Sequence, residues 1–276
     1  MNVIAYSNKK EDYLKVTEVV NYDNETIQKL AEGLFQKADN EVAFIKLVYE
    51  FVRDQISHSA DIGEDLITCS ASEVLAAGHG ICFAKSNLLA AILRCKGIPT
   101  GFCYQKLILD DDTSPVLIYH GLNGVYIKEI NRWVRLDARG NKEGVNAQFS
   151  LDEEQLAFPI RAEKGEEDDF MVYPNPDANV IASMKACKTR SELWEKLPTD
   201  LMYKVRRNVM LSKKIACVGQ SQCVACGACL RECLKRAISI HKGCYATVDP
   251  FVCVGCGKCA KICPANAISL SLREEA

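Results

Sequence analysis

Cys223-Val224-Ala225-Cys226-Gly227-Ala228-Cys229-Leu230-Arg231-Glu232-Cys233 has C-x2-C-x2-C-x3-C spacing, and about thirty residues on Cys253-Val254-Gly255-Cys256-Gly257-Lys258-Cys259-Ala260-Lys261-Ile262-Cys263-Pro264 repeats it. Each block runs into Ala-Ile-Ser, at Ala237-Ile238-Ser239 and Ala267-Ile268-Ser269, so the segment is an internal duplication. The spacing has a physical reason. Three thiolates two residues apart wrap one corner of an iron–sulfur cube, with glycine easing the backbone past the inorganic sulfides. The fourth, expected at a helix start, reaches the other cube. Paired structural zinc sites also use C-x2-C and are the competing reading. A duplicated four-cysteine run is far more specific than a lone pair.

This segment resembles a bacterial-type two-cluster ferredoxin over nearly all its length. The resemblance implies two [4Fe-4S] clusters, one held by Cys223, Cys226, Cys229 and Cys263 and the other by Cys253, Cys256, Cys259 and Cys233. Leu234 departs from the pattern, which has proline there, without removing a ligand. A segment of about 60 residues is short of core, so ligation should supply much of its folding energy. Cys217 and Cys244 fall outside the motifs and read as spare thiols.

Working outward, the cysteines divide the chain. Fifteen occur in 276 residues, but only Cys69, Cys82, Cys95 and Cys103 precede residue 180. Such a load in a long chain without the apolar core of a signal peptide suits metal or catalytic chemistry in a reducing compartment better than disulfides. A cytoplasmic, oxygen-poor setting is expected. The net charge of -2 gives no strong overall field toward nucleic acid or anionic lipid, and no run of about 18 apolar residues could span a membrane. The acidic run Glu163-Lys164-Gly165-Glu166-Glu167-Asp168-Asp169, followed by Tyr173-Pro174-Asn175-Pro176-Asp177, reads as an exposed irregular segment. The expected order is therefore a large domain over 1–180, a basic helical connector over 181–214, and the cysteine-rich domain over 215–276.

The large domain begins with helices. Asn24 can cap one through Phe35, a second spans Glu41 to about Ile56, and Ser70-Ala71-Ser72-Glu73 is a capping box. After Gly78-His79-Gly80 a helix starts at Cys82 and stops at Gly97-Ile98-Pro99. Strands follow, with a hairpin expected at Gly121-Leu122-Asn123-Gly124 between Val116–His120 and Val125–Ile130. Helices first and an antiparallel meander after them indicate an α+β fold.

Cys82 is the candidate nucleophile, because the amides and dipole at a helix N-terminus favour thiolate over thiol. A thiolate needs an imidazole to protonate the leaving group and a third group to orient that imidazole. Of the four histidines, His120 is read at a strand end, with Asp137 ending the strand after the next hairpin. His58, His79 and His241 are less suitably placed. Taken singly, each residue has a bland reading. Cys95 reads as packing and Trp133 as core, while the acidic run and the basic connector read as solvated faces.

Gly80-Ile81-Cys82-Phe83-Ala84-Lys85, Leu93-Arg94-Cys95-Lys96-Gly97-Ile98-Pro99, Tyr119-His120-Gly121 and Trp133-Val134-Arg135-Leu136-Asp137 resemble the transglutaminase-like, papain-like superfamily over most of residues 40 to 160. The resemblance implies Cys82 as nucleophile, His120 as general acid/base and Asp137 as its orienting partner. It also implies acyl transfer from an amide through a thioester, to water or to an amine, with hydrolysis slightly favoured. A peptide or amide substrate and a redox protein partner are expected, with neither nucleic acid nor membrane. The alternative from another class is an electron-transfer or redox-sensing protein whose papain-like domain only binds a partner.

Overall fold

The computed structural model describes residues 3–110, 114–203, 214–249 and 253–272. The chain forms two compact units, Met1–Asp200 and Leu201–Ala276.

In the first unit a short strand β1 (Ile4–Ala5) precedes two capped helices. Asn24 accepts from the Thr26 N–H to open α1 (Glu25–Phe35), and Asn40 accepts from the Ala43 N–H to open α2 (Glu41–Asp54). Each cap satisfies a donor that the helix itself leaves orphaned. β2 (Ser57–His58) pairs in parallel with β3 (His79–Gly80), and α3 (Ala71–Ala77) lies between them in sequence. The Ser70/Glu73 capping box opens α3, as read from sequence, and left-handed Gly78 closes it. β3 feeds directly into α4 (Cys82–Cys95), which is buried from Phe83 through Arg94. A helix covered on every side is the middle of a core. Here α1, α2 and α3 pack around it, and the sheet covers the rest.

That sheet holds β4 (Thr100–Asp110), β5 (Ser114–Ile127), β6 (Arg132–Leu136) and β7 (Glu167–Asp168) in the order β6-β5-β4-β7, with antiparallel pairing throughout. β8 (Met171–Val172) pairs with β1. The β5–β6 register sets Asn123 against Leu136. Continued by one residue, it sets Asp137 against Leu122, on the diagonal of His120, within reach across neighbouring strands.

Three expectations are corrected. Gly121-Leu122-Asn123-Gly124 is not a turn, because β5 runs straight through it and His120 lies inside the strand. Asn123 is fully buried, and its amide donates to Ser86 O and Gly101 O, both at 3.1 Å. The glycines are there for close packing. The acidic run is a solvated loop only in part: Glu163, Lys164 and Glu167 are exposed, but Glu167–Asp168 is a strand, and Glu166 and Asp168 are buried against Arg161 and Arg135. Tyr173 and Asp177 beyond it are fully buried. The boundary moves from about 180 to Asp200, since α5 (Ala178–Ala186) and α6 (Arg190–Glu195) are tied back by Lys185–Glu18 and by the Arg190 and Ser191 amides on Asp65. The connector's Lys204, Arg206, Arg207 and Lys213 lie outside the described residues.

The second unit comprises β9 (Lys214–Val218), α7 (Ala228–Glu232), β10 (Ile238–His241), β11 (Tyr245–Val248), α8 (Lys258–Ile262) and β12 (Ile268–Leu272). β10 and β11 form a hairpin, and β12 returns to pair with β9. The duplication extends to the backbone. Positive φ recurs at Ala225 and Gly255 (51° and 63°), at Gly227 and Gly257 (73° and 75°), and at Arg236 and Asn266 (54° and 48°). The fourth cysteine of each block, Cys233 or Cys263, follows its short helix as the C-cap, so it sits at a helix end and not a start. Among the described residues, no helix is long and apolar enough to cross a membrane.

Candidate active site and cluster cradle

Cys82 is the first residue of α4, after Ile81, which offers the helix no side-chain cap. The amide donors of that first turn are therefore not taken by a capping side chain. Phe83 packs on Gly121, where a Cβ would lie 2.5 Å from Phe83 Cδ1. The missing side chain lets the start of α4 approach β5 beside His120. His120 Nε2–H donates to Asp137 Oδ2 at 2.8 Å, and the Cys82 thiol lies near enough to the imidazole to act on it electrostatically. Nε2 is thereby committed to the carboxylate, so Nδ1 is the ring nitrogen that Asp137 does not engage. Asp137 is buried and accepts two further amide bonds, from Arg139 to Oδ1 and from Ala157 to Oδ2, both at 3.1 Å. The Phe158 ring meets the imidazole edge-on at 5.1 Å. Of the three residues singled out in the sequence, His120 and Asp137 are hydrogen-bonded to each other and Cys82 interacts with His120 through its charge.

The electrostatics follow from this packing. Burial alone would pull His120 down, but the charges of Asp137 and Cys82 and its hydrogen bond to Asp137 outweigh it and push it up to about 10. Burial of Asp137 raises its carboxyl, yet His120 and the two amides hold it below the ordinary carboxylate range. An imidazolium between a carboxylate and a sulfur is an acid ready for a leaving group.

Sequence reasoning missed a second ring of residues. His58, passed over in the sequence as less suitably placed, is buried in β2 opposite Gly80, and its Nδ1 has no hydrogen-bond partner among the described residues. Burial and then Arg139 push it down to about 3. Arg139 forms a two-pronged pair with Asp61, to which Lys142 also donates. Lys85 is fully buried in α4. A lysine one turn into the helix that opens at Cys82 was the one available signal. His79 is satisfied by Ser59 at 3.0 Å, and His241 belongs to the second unit.

In the second unit, Cys223, Cys226, Cys229 and Cys263 line one shallow hollow together with Ile240, Ala246 and Ile268. Backbone amides point at the sulfurs: Ala246 at Cys223, Ala267 at Cys263 and Ala237 at Cys233, each at 3.3 Å. Gly255 points at Cys253 at 3.4 Å. Burial pushes the Cys229 and Cys259 thiols up, and the charges of their motif partners, Cys223 and Cys226 or Cys253 and Cys256, add to the effect. Four thiols around a hollow, with amides directed at them, fit an iron–sulfur cluster.

The first unit is thus built as a thiol–imidazole–carboxylate site on an α+β scaffold, and the second as a cysteine cradle. Residues 28–138 match the transglutaminase-like superfamily, and residues 246–269 match the 4Fe-4S binding domain. The chain carries a transglutaminase-like domain followed by a 4Fe-4S binding domain. Among solved structures it is similar to a candidate cysteine protease from Cytophaga hutchinsonii, at 20% identity and a TM-score of 0.40, over 48% of this chain and 43% of that one. It is also similar to the periplasmic domain of TgpA from Pseudomonas aeruginosa, at 16% identity and a TM-score of 0.36, over 47% of this chain and 46% of that one. The chain spans less than half the length of either. No curated protein matches it.

Proposed function

We propose that the first unit is a cysteine-dependent acyl-transfer enzyme that opens amide bonds through a thioester on Cys82, with water as the favoured acceptor. The observation carrying this reading is the buried His120–Asp137 pair at 2.8 Å, electrostatically coupled to the Cys82 thiol at the head of α4. Cys82 Sγ attacks the amide carbonyl carbon, and the oxygen of the tetrahedral intermediate is held by the uncapped amides at the start of α4, the Cys82 N–H among them. His120 gives its proton to the departing amine as the C–N bond breaks. It then takes a proton from the water that cleaves the thioester, releasing a carboxylic acid and the free thiol. Asp137 fixes the ring orientation and supports its charge in both steps. Hydrolysis is favoured over crosslinking because nothing marks a second, amine-binding site.

For the second unit the reading is two [4Fe-4S] clusters, one on Cys223, Cys226, Cys229 and Cys263 and one on Cys253, Cys256, Cys259 and Cys233. When bound, such clusters supply one-electron redox chemistry. Amide hydrolysis consumes no electrons, so the role we assign them is redox sensing or exchange with a protein partner, in a cytoplasmic setting. The test is trapping with an amide-derived acyl probe under anaerobic conditions, read by intact mass. The wild type should gain one acyl group and Cys82→Ala none. Equal acylation of both would overturn the reading.

A further inference from the structure

Lys85 lies one helical turn beyond Cys82, is fully buried, and takes no part in the chemistry above. Its ammonium donates to three backbone carbonyls: Ile56 O at close range, Arg139 O at 2.8 Å and Arg53 O at 3.4 Å. These acceptors are not scattered. Arg53 and Ile56 lead into β2, which pairs with Gly80 just ahead of Cys82. Arg139 follows Asp137 by two residues, and its own N–H donates to Asp137 Oδ1. Gly140 completes the pocket, because a Cβ there would lie 3.3 Å from Lys85 Nζ and 3.3 Å from Arg53 O, at a φ of +111°.

Burying an ammonium is costly unless its protons are all used, and an apolar side chain at this position in a buried helix would avoid the cost. The charge must therefore be useful where it is. The groups facing it are the Arg139 guanidinium, Asp137, Asp61, His58, and Asp54 at the end of α2. Burial and then Arg139 pull Lys85 down to about 7, against the three carboxylates.

We infer that Lys85 is a positioning residue for acyl transfer: through the carbonyls of Arg53, Ile56 and Arg139 it latches the segment holding Asp137 and the strand beside Gly80 onto the helix that presents Cys82. The inference rests on the acyl-transfer reading. Without the latch, the Arg139 amide no longer holds Asp137 in place, His120 loses its oriented carboxylate, and its proton leaves at lower pH.

The experiment measures the rate of Cys82 alkylation by iodoacetamide against pH in the cluster-loaded full chain, resolved by peptide mass spectrometry, for wild type, Lys85→Met and Lys85→Gln. Thermal melts are run alongside. The expected result is a folded Lys85→Met protein alkylated about tenfold more slowly at neutral pH, with its alkaline limb moved to lower pH. Lys85→Gln, which keeps two N–H donors, should recover part of both effects, and it carries the test where the Met variant does not fold. An unchanged rate and pH profile in a folded variant would overturn the inference alone. Failure of both variants to fold would make Lys85 a scaffold residue and overturn it too. Wild-type Cys82 reacting no faster than the exposed Cys244 would instead sink the acyl-transfer reading, and this inference with it.

Discussion

Gly121 and Phe83 leave no room between them: a carbon added at Gly121 would sit 2.5 Å from the Phe83 ring and 3.5 Å from its Cα. The contact lies next to both His120 and Cys82 in sequence, so any relief of a clash moves one of them. Gly121→Ala should cost about 1–3 kcal/mol as an overpacked core substitution. It should also slow Cys82 alkylation in the protein that remains folded. Urea melts and site-resolved alkylation check the two effects separately.

Asp137→Asn keeps the shape of the side chain but removes its charge. The His120 ring loses the partner that holds its proton, so the alkaline limb of the Cys82 alkylation profile should shift to lower pH. Turnover on an amide substrate should fall by about 10²- to 10⁴-fold, the range general acid–base catalysis supplies. Pre-steady-state acylation against pH would measure both changes.

His120 is raised from 6.5 to about 10 in the folded protein. Its protonated form is favoured by folding, so its contribution to stability is complete below about pH 6.5 and is lost as pH climbs toward 10. The gap in denaturation midpoint between wild type and His120→Gln should be widest near pH 6 and close by pH 10. A gap that widens with pH would contradict the assigned charge state.

Arg135 and Asp168 are almost completely buried together and make two contacts at 2.7 Å. Replacing Arg135 with Met leaves the carboxylate uncompensated, a change that typically costs about 3–5 kcal/mol. Arg135→Met paired with Asp168→Leu should recover much of the loss. A double-mutant cycle by urea denaturation reads the coupling directly.

The cradle predicts which cysteines matter for iron. Cys263→Ser removes a lining residue of the hollow formed by the first block, although it lies in the second. It should lose about half of the bound iron and sulfide on the two-cluster reading, whereas Cys244→Ser should lose none. Anaerobic iron and sulfide quantification of Cys223→Ser/Cys263→Ser separates this from a cysteine pairing confined within each block: the double variant should lose one cluster with crossed ligation and both with confined ligation.

The parts legible in sequence were those written in local chemistry. The caps at Asn24 and Ser70, the start of α4 at Cys82, and the duplicated cysteine runs depend on neighbours within a few residues. What escaped depended on residues far away. Asn123-Gly124 carries the signature of a turn, yet it lies in mid-strand because Val172 and α4 press on that stretch, and no local signal records the pressure. Glu166 and Asp168 look solvated until Arg161 and Arg135 arrive from elsewhere to neutralise them. Lys85 and His58 were passed over for the same reason: their partners are backbone carbonyls and charges brought in by the fold.

In the second unit the strand nearest the C-terminus, β12, is the partner of the strand that begins the unit, β9, with Ile268 against Val218 and Leu272 against Lys214. The chain ends of this domain are thus hooked to each other. Neither repeat owns a complete sheet, so a break that released the last strand would bare the edge of the first and leave it seeking a new mate. Opening should therefore be an all-or-none event, with the amides of both strands exchanging in step. The C-terminal residues are a fastening, and trimming them would undo the domain from both ends at once.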